Sequence, residues 1–162
     1  MNGVKRVLPW LAIAALLALA DQASKSAVSA GLRPGEVREI ASFFNLVLAH
    51  NRGAAFSFLS DASGWQRTLF IAIAALATAV IVAMLLRHSG ERLFCAGLAL
   101  ILGGALGNLW DRIALGYVVD FLDFHAFGWH FWAFNLADSA ITVGAGLLIL
   151  DSLRSAAAAR KA

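Results

Sequence analysis

Four long apolar stretches alternate with polar segments along the chain. They are Val7–Ala20, Leu69–Leu86, Leu93–Trp110 and Phe131–Leu150. A helix that crosses a bilayer takes about 20 mainly apolar residues, which the last three stretches supply and the first reaches with its polar flank. The pattern therefore predicts an all-α membrane protein with four transmembrane helices in one domain, residues 1–162. We place the spans at about 7–26, 67–86, 93–110 and 132–150, with long loops at about 27–66 and 111–131.

The composition agrees with a membrane protein and excludes several other classes. Of 162 residues, 60% are hydrophobic and 14% are charged, whereas about 25% are charged in average soluble domains. No basic run resembles a nucleic-acid-binding surface, so we expect no nucleic-acid partner. Cys95 is the only cysteine. It cannot form an internal disulfide, and we expect it to be a small buried apolar residue.

Basic residues are concentrated on one side of the predicted spans. The N-terminus, the short loop 87–92 and the tail after Leu150 carry seven of the thirteen Lys and Arg residues but only two acids. The positive-inside rule therefore predicts that both termini are cytoplasmic and that the two long loops face outward.

The first apolar stretch also has features of a cleaved secretory signal. Lys5 and Arg6 precede a short apolar run that ends in Ala18-Leu19-Ala20, a small-residue cleavage pattern. Cleavage would leave three spans, with the two termini on opposite sides of the membrane. We expect the segment to be retained as a helix.

The long loops contain residues that favour extended structure. Ile40–Ala49 and Tyr117–Phe124 are rich in β-branched and aromatic residues, which predicts a small sheet on the outer face. Aromatic residues also cluster in or beside these loops, namely Phe56, Phe58, Trp65, Phe127, Trp129, Phe131 and Trp132. They are typical of an interfacial belt, and the alternative is a surface that contacts lipid or peptide.

Asp138 is the most unusual residue of the fourth stretch. An Asp at the centre of a transmembrane helix costs about 2.5 to 3.5 kcal/mol. Asn135 lies three residues earlier and projects to the same side of the helix, and if Trp132 marks the outer interface, Asp138 lies roughly 9 Å deeper. Asp120 precedes Asp138 by eighteen residues, so the two acids can converge at one membrane boundary. The structural alternative is that Asp138 forms hydrogen bonds that hold helices together.

Other polar residues lie at the ends of the spans or in turns. They are Asp21, Lys25, Asn51, Gly53, Asn108, Asp111 and Arg112. Each also has a structural interpretation, as a helix ion pair, a cap or a turn. Gly103 and Gly107 form a GxxxG pattern, which is a weak signal of close helix packing.

A pair of carboxylates is the best candidate for chemistry. Two acids in contact cannot both ionise cheaply, so one of them keeps a proton. The ionised acid can then activate a water molecule while the protonated one polarises a carbonyl. His50, His125 and His130 do not have metal-ligand spacing, and no GxSxG motif is present. We therefore expect neither a metal nor another cofactor.

Five short blocks, in order, resemble the lipoprotein signal peptidase family, also called signal peptidase II. They are DQASK, HNRGAAF, GNLWDR, VVDF and FNLADSAI, between Asp21 and Ile141. Each block alone is weak, but five in order on a four-span frame are specific. Trp110 and Trp132 depart from the usual pattern, and these departures leave the exact entry angle of the fourth span open.

The resemblance implies an aspartic endopeptidase of the bacterial cytoplasmic (inner) membrane. Such an enzyme removes the signal peptide from diacylglyceryl-modified prolipoproteins, N-terminal to the lipidated cysteine, and is inhibited by the cyclic peptide globomycin. The family fold has a small extracytoplasmic β-cradle and a short outer surface helix, with membrane phospholipid around the spans.

The resemblance also implies roles for residues. The catalytic dyad is Asp120 and Asp138, and the substrate-binding residues are Asn51, Gly53, Asn108, Asp111, Arg112 and Asn135. The structural polar residues are Asp21 and Lys25.

Two other classes of function remain open. A proton-coupled transporter or channel subunit would use Asp138 as a relay, but it needs polar residues through the full bilayer depth, and the inner halves of all four stretches are apolar. A noncatalytic assembly factor would use Asp138 to hold helices together, and would tolerate Asn at that position. A presenilin-like protease is not favoured, because the GxGD motif is absent.

Overall fold

The structure is a computed structural model that describes residues 3–53 and 64–160. Its four helices are α1 (Gly3–Gly31), α2 (Trp65–Arg87), α3 (Arg92–Ala114) and α4 (Leu136–Ala159). All four are long and apolar enough to cross a membrane. The prediction of four transmembrane-length helices is therefore confirmed.

Helix α3 is the centre of the bundle, and it packs against each of the other three helices. Half of the residues in the most apolar stretch of α3 are buried inside the protein. In the corresponding stretches of the other three helices, only 11% to 17% of the residues are buried. Glycines allow the close approach, because a Cβ at Gly97 would meet the backbone oxygen of Gly144 at 2.8 Å and one at Gly103 would meet that of Ala14 at 2.7 Å. The close packing suggested by the GxxxG pattern is thus present. Cys95 is fully buried beside these contacts, as expected.

The predicted small sheet is confirmed and has four antiparallel strands in the order β1-β2-β3-β4. These are β1 (Val37–Ala41), β2 (Phe44–Asn51), β3 (Val118–Ala126) and β4 (Trp129–His130). The extended segment expected at Ile40–Ala49 is divided by a turn between β1 and β2. After α3, Gly116 adopts a φ of +84° that favours glycine, and the chain then enters β3.

The helix boundaries differ from the predicted spans at both ends of the bundle, and the differences at the end that joins the sheet affect the site. Helix α1 extends to Gly31 and α3 to Ala114, so residues 27–31 and 111–114, placed in loops above, are helical. The fourth span runs to Ala159 instead of about 150, and it begins at Leu136 and not near residue 132. Hydropathy could not distinguish the extended residues 131–134 from the start of the helix, because they are as apolar as the helix that follows.

Residues 131–135 run along β3 instead of forming a helix. The backbone oxygen of Phe134 accepts hydrogen bonds from the amides of Phe121 and Leu122, at 3.0 and 2.8 Å, and Leu122 also accepts from the amide of Phe134 at 3.1 Å. The assumption that Trp132 and Asp138 lie on one continuous helix, separated by roughly 9 Å of helix rise, is therefore wrong.

The expected surface helix has no counterpart among residues 3–53 and 64–160, whose helices are the four spans alone. Phe56 and Phe58, which belong to the predicted aromatic cluster, lie outside the described residues.

Candidate active site

Asn135 caps the N-terminus of α4 and positions Asp138 in the first helical turn. The Asn135 side chain accepts a hydrogen bond from the Asp138 amide at 3.0 Å, and the Asp138 carboxylate accepts one from the Asn135 amide at 3.3 Å. This reciprocal pair is a capping box. It explains why α4 begins here, and it holds Asp138 at the end of the helix. Asn135 and Asp138 are therefore not two residues of one helical face, as the continuous-helix prediction assumed.

Asp120 is the third residue of β3, near the end of the strand that follows α3, and lies directly opposite Ala49 of β2. Its side chain is 2% exposed. One carboxylate oxygen accepts a hydrogen bond from the Asn135 side-chain amide at 2.7 Å, and the other accepts one from the Asn51 amide at 3.0 Å. Burial, and secondly the negative charge of Asp138, raise the pKa of Asp120 to about 7.

Two asparagines connect the carboxylates. Asn108 of α3 donates a hydrogen bond to Asp138 at 2.8 Å. Asn135 donates to Asp120, and its amide is also within 3.2 Å of the Asn108 side-chain oxygen. Asp120, Asn135, Asn108 and Asp138 therefore form a continuous polar chain across β3, α3 and α4. The structure brings the two acids together, as the sequence suggested.

Both carboxylates line one cavity of about 460 Å³. Most of its wall is apolar, and the polar groups are few. The apolar lining includes Val118, Phe131, Trp132, Ala133, Phe134, Ile141 and Val143, and the polar lining includes Asn51, Asn108, Arg112, Asp120, Asp138, Ser139 and Thr142. An apolar pocket with a small convergent polar group is typical of a site for an apolar ligand with one reacting centre.

Arg112 enters the same cavity from the last turn of α3. Its guanidinium donates hydrogen bonds to the backbone oxygens of Gly53, at 3.0 Å, and Asn108, at 3.3 Å. It also lies 5.2 Å above the ring centre of Phe70 in α2. The amide of Gly53 in turn donates to the Asn51 side chain at 2.9 Å. The HNRG segment and Arg112 are thus one connected group beside the carboxylates.

A buried ion cluster lies directly beneath the two acids. Lys25 of α1 contacts carboxylate oxygens of Asp21 at 2.7 Å and Asp111 at 2.9 Å, and donates to the Asn108 side chain at 2.9 Å. The sequence suggested an Asp21–Lys25 pair at the membrane interface. The pair is instead buried, with Lys25 only 3% exposed, because α3 packs over it and supplies Asp111 and Asn108 as further partners of Lys25.

The cluster also fixes the backbone that carries the acids. Asp21 accepts a hydrogen bond from the amide of Ala137, next to Asp138, at 3.0 Å. Asp111 accepts one from the amide of Val119, next to Asp120, at 3.1 Å. The ion cluster therefore connects α1 and α3 with both acid-bearing elements.

Two residues of the site were missed by the sequence reasoning. Gln22 donates to Asp111 at 2.8 Å and to the backbone oxygen of Gly107 at 3.1 Å. Its place beside Asp21 in the DQASK block was the available signal. Arg67 of α2 donates to the backbone oxygens of Arg112 and Ile113 at 2.8 and 2.9 Å. No local pattern predicts that contact, because the partners are about 45 residues apart.

The other candidate groups are engaged elsewhere. The Ser139 hydroxyl donates to the backbone oxygen of Asn135 at 3.0 Å. The ring of His50 stacks on Tyr117, and the rings of His125 and His130 stack on each other. Within residues 3–53 and 64–160, no group of three His, Cys, Asp or Glu side chains is arranged to hold a metal ion.

Comparisons with known proteins agree with this arrangement. A lipoprotein signal peptidase of Paraburkholderia phytofirmans is 59% identical over 146 residues, covering 90% of this chain and 85% of that protein. The lipoprotein signal peptidase of Burkholderia vietnamiensis is 61% identical over 146 residues, covering 90% of this chain and 88% of that protein.

Solved structures share the fold. A bacterial membrane enzyme structure obtained by the in meso method at 2.3 Å resolution superposes with a TM-score of 0.82 at 30% identity, covering 91% of this chain and 89% of that chain. A second such structure, at 1.9 Å resolution, gives a TM-score of 0.78 at 31% identity, covering 90% of this chain and 92% of that chain. A family model described as signal peptidase (SPase) II matches residues 13–154. The chain therefore belongs to the signal peptidase II family, the lipoprotein signal peptidases.

Proposed function

We propose that this protein is an aspartic endopeptidase that hydrolyses the peptide bond N-terminal to the lipidated cysteine of diacylglyceryl-modified prolipoproteins. The observation that carries the proposal is the pair Asp120 and Asp138 on the wall of one cavity, joined through Asn135 and Asn108. The pKa of about 7 for Asp120 supports a pair that keeps one proton near neutral pH.

The two acids have different roles in this mechanism. Asp138, as the ionised partner, accepts a proton from a water molecule, and the water oxygen attacks the carbonyl carbon. Asp120, as the protonated partner, donates its proton to the carbonyl oxygen as the tetrahedral intermediate forms. When the intermediate collapses, the hydroxyl proton returns to Asp120, the Asp138 proton passes to the leaving nitrogen, and the carbon–nitrogen bond breaks. No metal or covalent intermediate takes part.

The neighbouring polar residues fall into two groups by their contacts. Asn51 and Arg112 line the cavity, and their amide and guanidinium donors suit the backbone oxygens of an extended substrate, while the buried Gly53 orients them through its bonds to both side chains. Asn108 and Asn135 hold the carboxylates in place, and Asn51 also donates to Asp120. Asp111, although expected to bind substrate, is 1% exposed and is bound to Lys25, so we assign it, with Asp21 and Lys25, a supporting role.

The position of the site suits a substrate with an acylated anchor. The site residues lie at the C-terminal ends of α1 and α3 and the N-terminal end of α4, at one end of the bundle. With both termini in the cytoplasm of a bacterial inner membrane, as the basic residues predict, this end faces the outer leaflet. Acyl chains could then remain in the surrounding phospholipid while the peptide enters the cavity. By family resemblance, globomycin would occupy the same cavity.

The proposal is tested with detergent-solubilised full chain and a precursor peptide in lipidated and unlipidated forms. We expect only the lipidated form to be cut, on the N-terminal side of the cysteine. Asp120→Asn and Asp138→Asn should each abolish cleavage and remain folded.

Asp123→Asn is the matched control, because Asp123 is a buried aspartate on the same strand that does not line the cavity. It should retain turnover. Cleavage by either dyad variant would reject the dyad. Full biological activity of Asp138→Asn without any proteolysis would favour the assembly-factor alternative.

A further inference from the structure

The turn between β3 and β4 carries the most exposed aromatic side chain of the described residues. The register pairs Ala126 with Trp129, so Phe127 and Gly128 form a two-residue turn. Their φ angles are 52° and 80°, the pattern of a type I′ turn. Phe127 is fully exposed, and Trp129 is 83% exposed. We call residues 126–129 the hairpin tip.

Phenylalanine is a poor choice for this turn on local grounds. The first central position of a type I′ turn favours Asn, Asp or Gly, and a bulky residue with positive φ is unfavourable. Packing among residues 3–53 and 64–160 does not explain Phe127, because its side chain is fully exposed. A contact with a surrounding apolar phase is a physical explanation for a ring at this position.

The surroundings of the hairpin tip are apolar and aromatic. Phe43 and Phe124 lie beside its base and are 57% and 41% exposed. Between Asp123 and His130 the sequence has no Asp, Glu, Lys or Arg. The flanking Asp123 and His130 contact each other at 3.0 Å. An exposed surface rich in Phe and Trp and poor in charge is typical of groups at a membrane–water interface.

The exposed aromatic surface continues from the tip to the helices. Phe131 and Trp132, which follow β4, are each 56% exposed. They lead to α4, which is long and apolar enough to cross a membrane and whose Ile149 is 63% exposed. Short connections attach the hairpin to α3 and α4 at the same end of the bundle. The exposed aromatic side chains therefore form one series from the hairpin tip to the apolar helix surface that a bilayer would surround.

We propose that the hairpin tip inserts its Phe127 and Trp129 side chains into the interfacial layer of the same bilayer that the four helices cross. Strand β3 is nine residues long and carries Asp120 near the bundle, so a tip held in lipid fixes the strand at both ends. The inserted tip then sets the height of Asp120 relative to the leaflet. This inference rests on exposure and continuity, and it does not depend on the proposed peptidase activity.

The test uses a fluorescent depth probe beside the tip. The full chain carries Cys95→Ala, which removes the native buried thiol, and Ala126→Cys, which is labelled with an environment-sensitive dye. The protein is placed in phosphatidylcholine vesicles with or without bromine on the upper acyl carbons. Glu39→Cys, on the opposite edge strand β1, is the control, because a charged exposed position there should face water.

We expect brominated lipid to reduce the emission of the dye at position 126 about twofold and to leave the dye at position 39 nearly unchanged. Adding Phe127→Asn should remove most of the quenching at position 126, since Asn suits the turn but has no ring. Equal quenching at both positions, or quenching that persists with Phe127→Asn, would overturn the proposal. A change in dye emission at position 126 that depends on the protein-to-lipid ratio and not on bromine would also overturn the proposal, and would indicate contact with a second copy of the chain.

Discussion

Asp120→Asn should change the stability of the protein in a direction that depends on pH. In the folded chain the pKa of Asp120 is raised from 3.8 to about 7, chiefly by burial and secondly by the charge of Asp138. The unfolded chain loses this proton near pH 4, whereas the folded chain keeps it until near pH 7. The free energy of unfolding of the wild type therefore falls by about 1.4 kcal/mol per pH unit between these values, and by about 4 kcal/mol in total.

The asparagine variant does not carry this pH-dependent cost, but it loses a hydrogen bond. Both carboxylate oxygens of Asp120 accept from amide groups, of Asn51 and Asn135. An asparagine side chain has one acceptor oxygen, so one amide faces another donor, at a cost of about 1 to 3 kcal/mol. At pH 5 the two effects are similar in size. Between pH 5 and pH 8 the free energy of unfolding of the variant, relative to that of the wild type, should rise by about 3 kcal/mol.

The measurement is the thermal unfolding midpoint of wild type and Asp120→Asn in one detergent at pH 5, 6, 7 and 8, with turnover measured in parallel. The variant should be as stable as the wild type or less so at pH 5, more stable at pH 8, and inactive throughout. Asp123→Asn, the matched control for activity, should retain turnover in the same preparations. A difference in midpoint that is the same at pH 5 and pH 8 would refute the electrostatic reasoning, because Asp120 would then not hold a proton near neutral pH.

Three further changes test other parts of the site. Turnover of the wild type should fall as the pH rises above about 7, because Asp120 then loses the proton that the mechanism requires, and a rate that keeps rising to pH 9 would contradict this. Gly107→Ala should reduce the yield of folded protein, because a Cβ at this position would collide with the Asp21 carboxylate, whereas Gly146→Ala, with nothing within 4 Å, should leave the unfolding midpoint unchanged or raise it. Lys25→Met should lower the free energy of unfolding by about 3 to 5 kcal/mol, because it leaves two buried carboxylates without a cation, and an unchanged midpoint would show that the ion cluster does not stabilise the fold.

The main elements could be predicted from the sequence because each depends on a local pattern. Apolar length identifies the four helices, and runs of β-branched and aromatic residues identify the sheet. The position of the fourth helix start could also have been found. Asn135 followed by Asp138 at the third helical position is a capping signature, but the apolar residues before it concealed the boundary.

The contacts that assemble the site could not be predicted in the same way. The bonds from Arg67 to the end of α3 and from Lys25 to Asp111 join residues that are far apart in the chain. Their geometry follows from helix packing, which hydropathy does not specify. The resemblance to a family suggested candidate residues, but not which of them reach the cavity and which, such as Asp111, are buried beneath it.

The division between the ion cluster and the dyad has an electrostatic reason. A lysine beside a buried carboxylate lowers its pKa, so a cation in direct contact with Asp120 would remove the proton that the proposed mechanism needs. Lys25 is instead bonded to Asp21, Asp111 and Asn108, and its effect on the pKa of Asp120 is smaller than those of burial and of Asp138. Asp120 is oriented by neutral amides, which fix its position without supplying a charge. Lys25 thus stabilises the junction of the helices and the sheet but is held away from Asp120 and Asp138, the proposed dyad. Two further acids, Asp21 and Asp111, bind the lysine there.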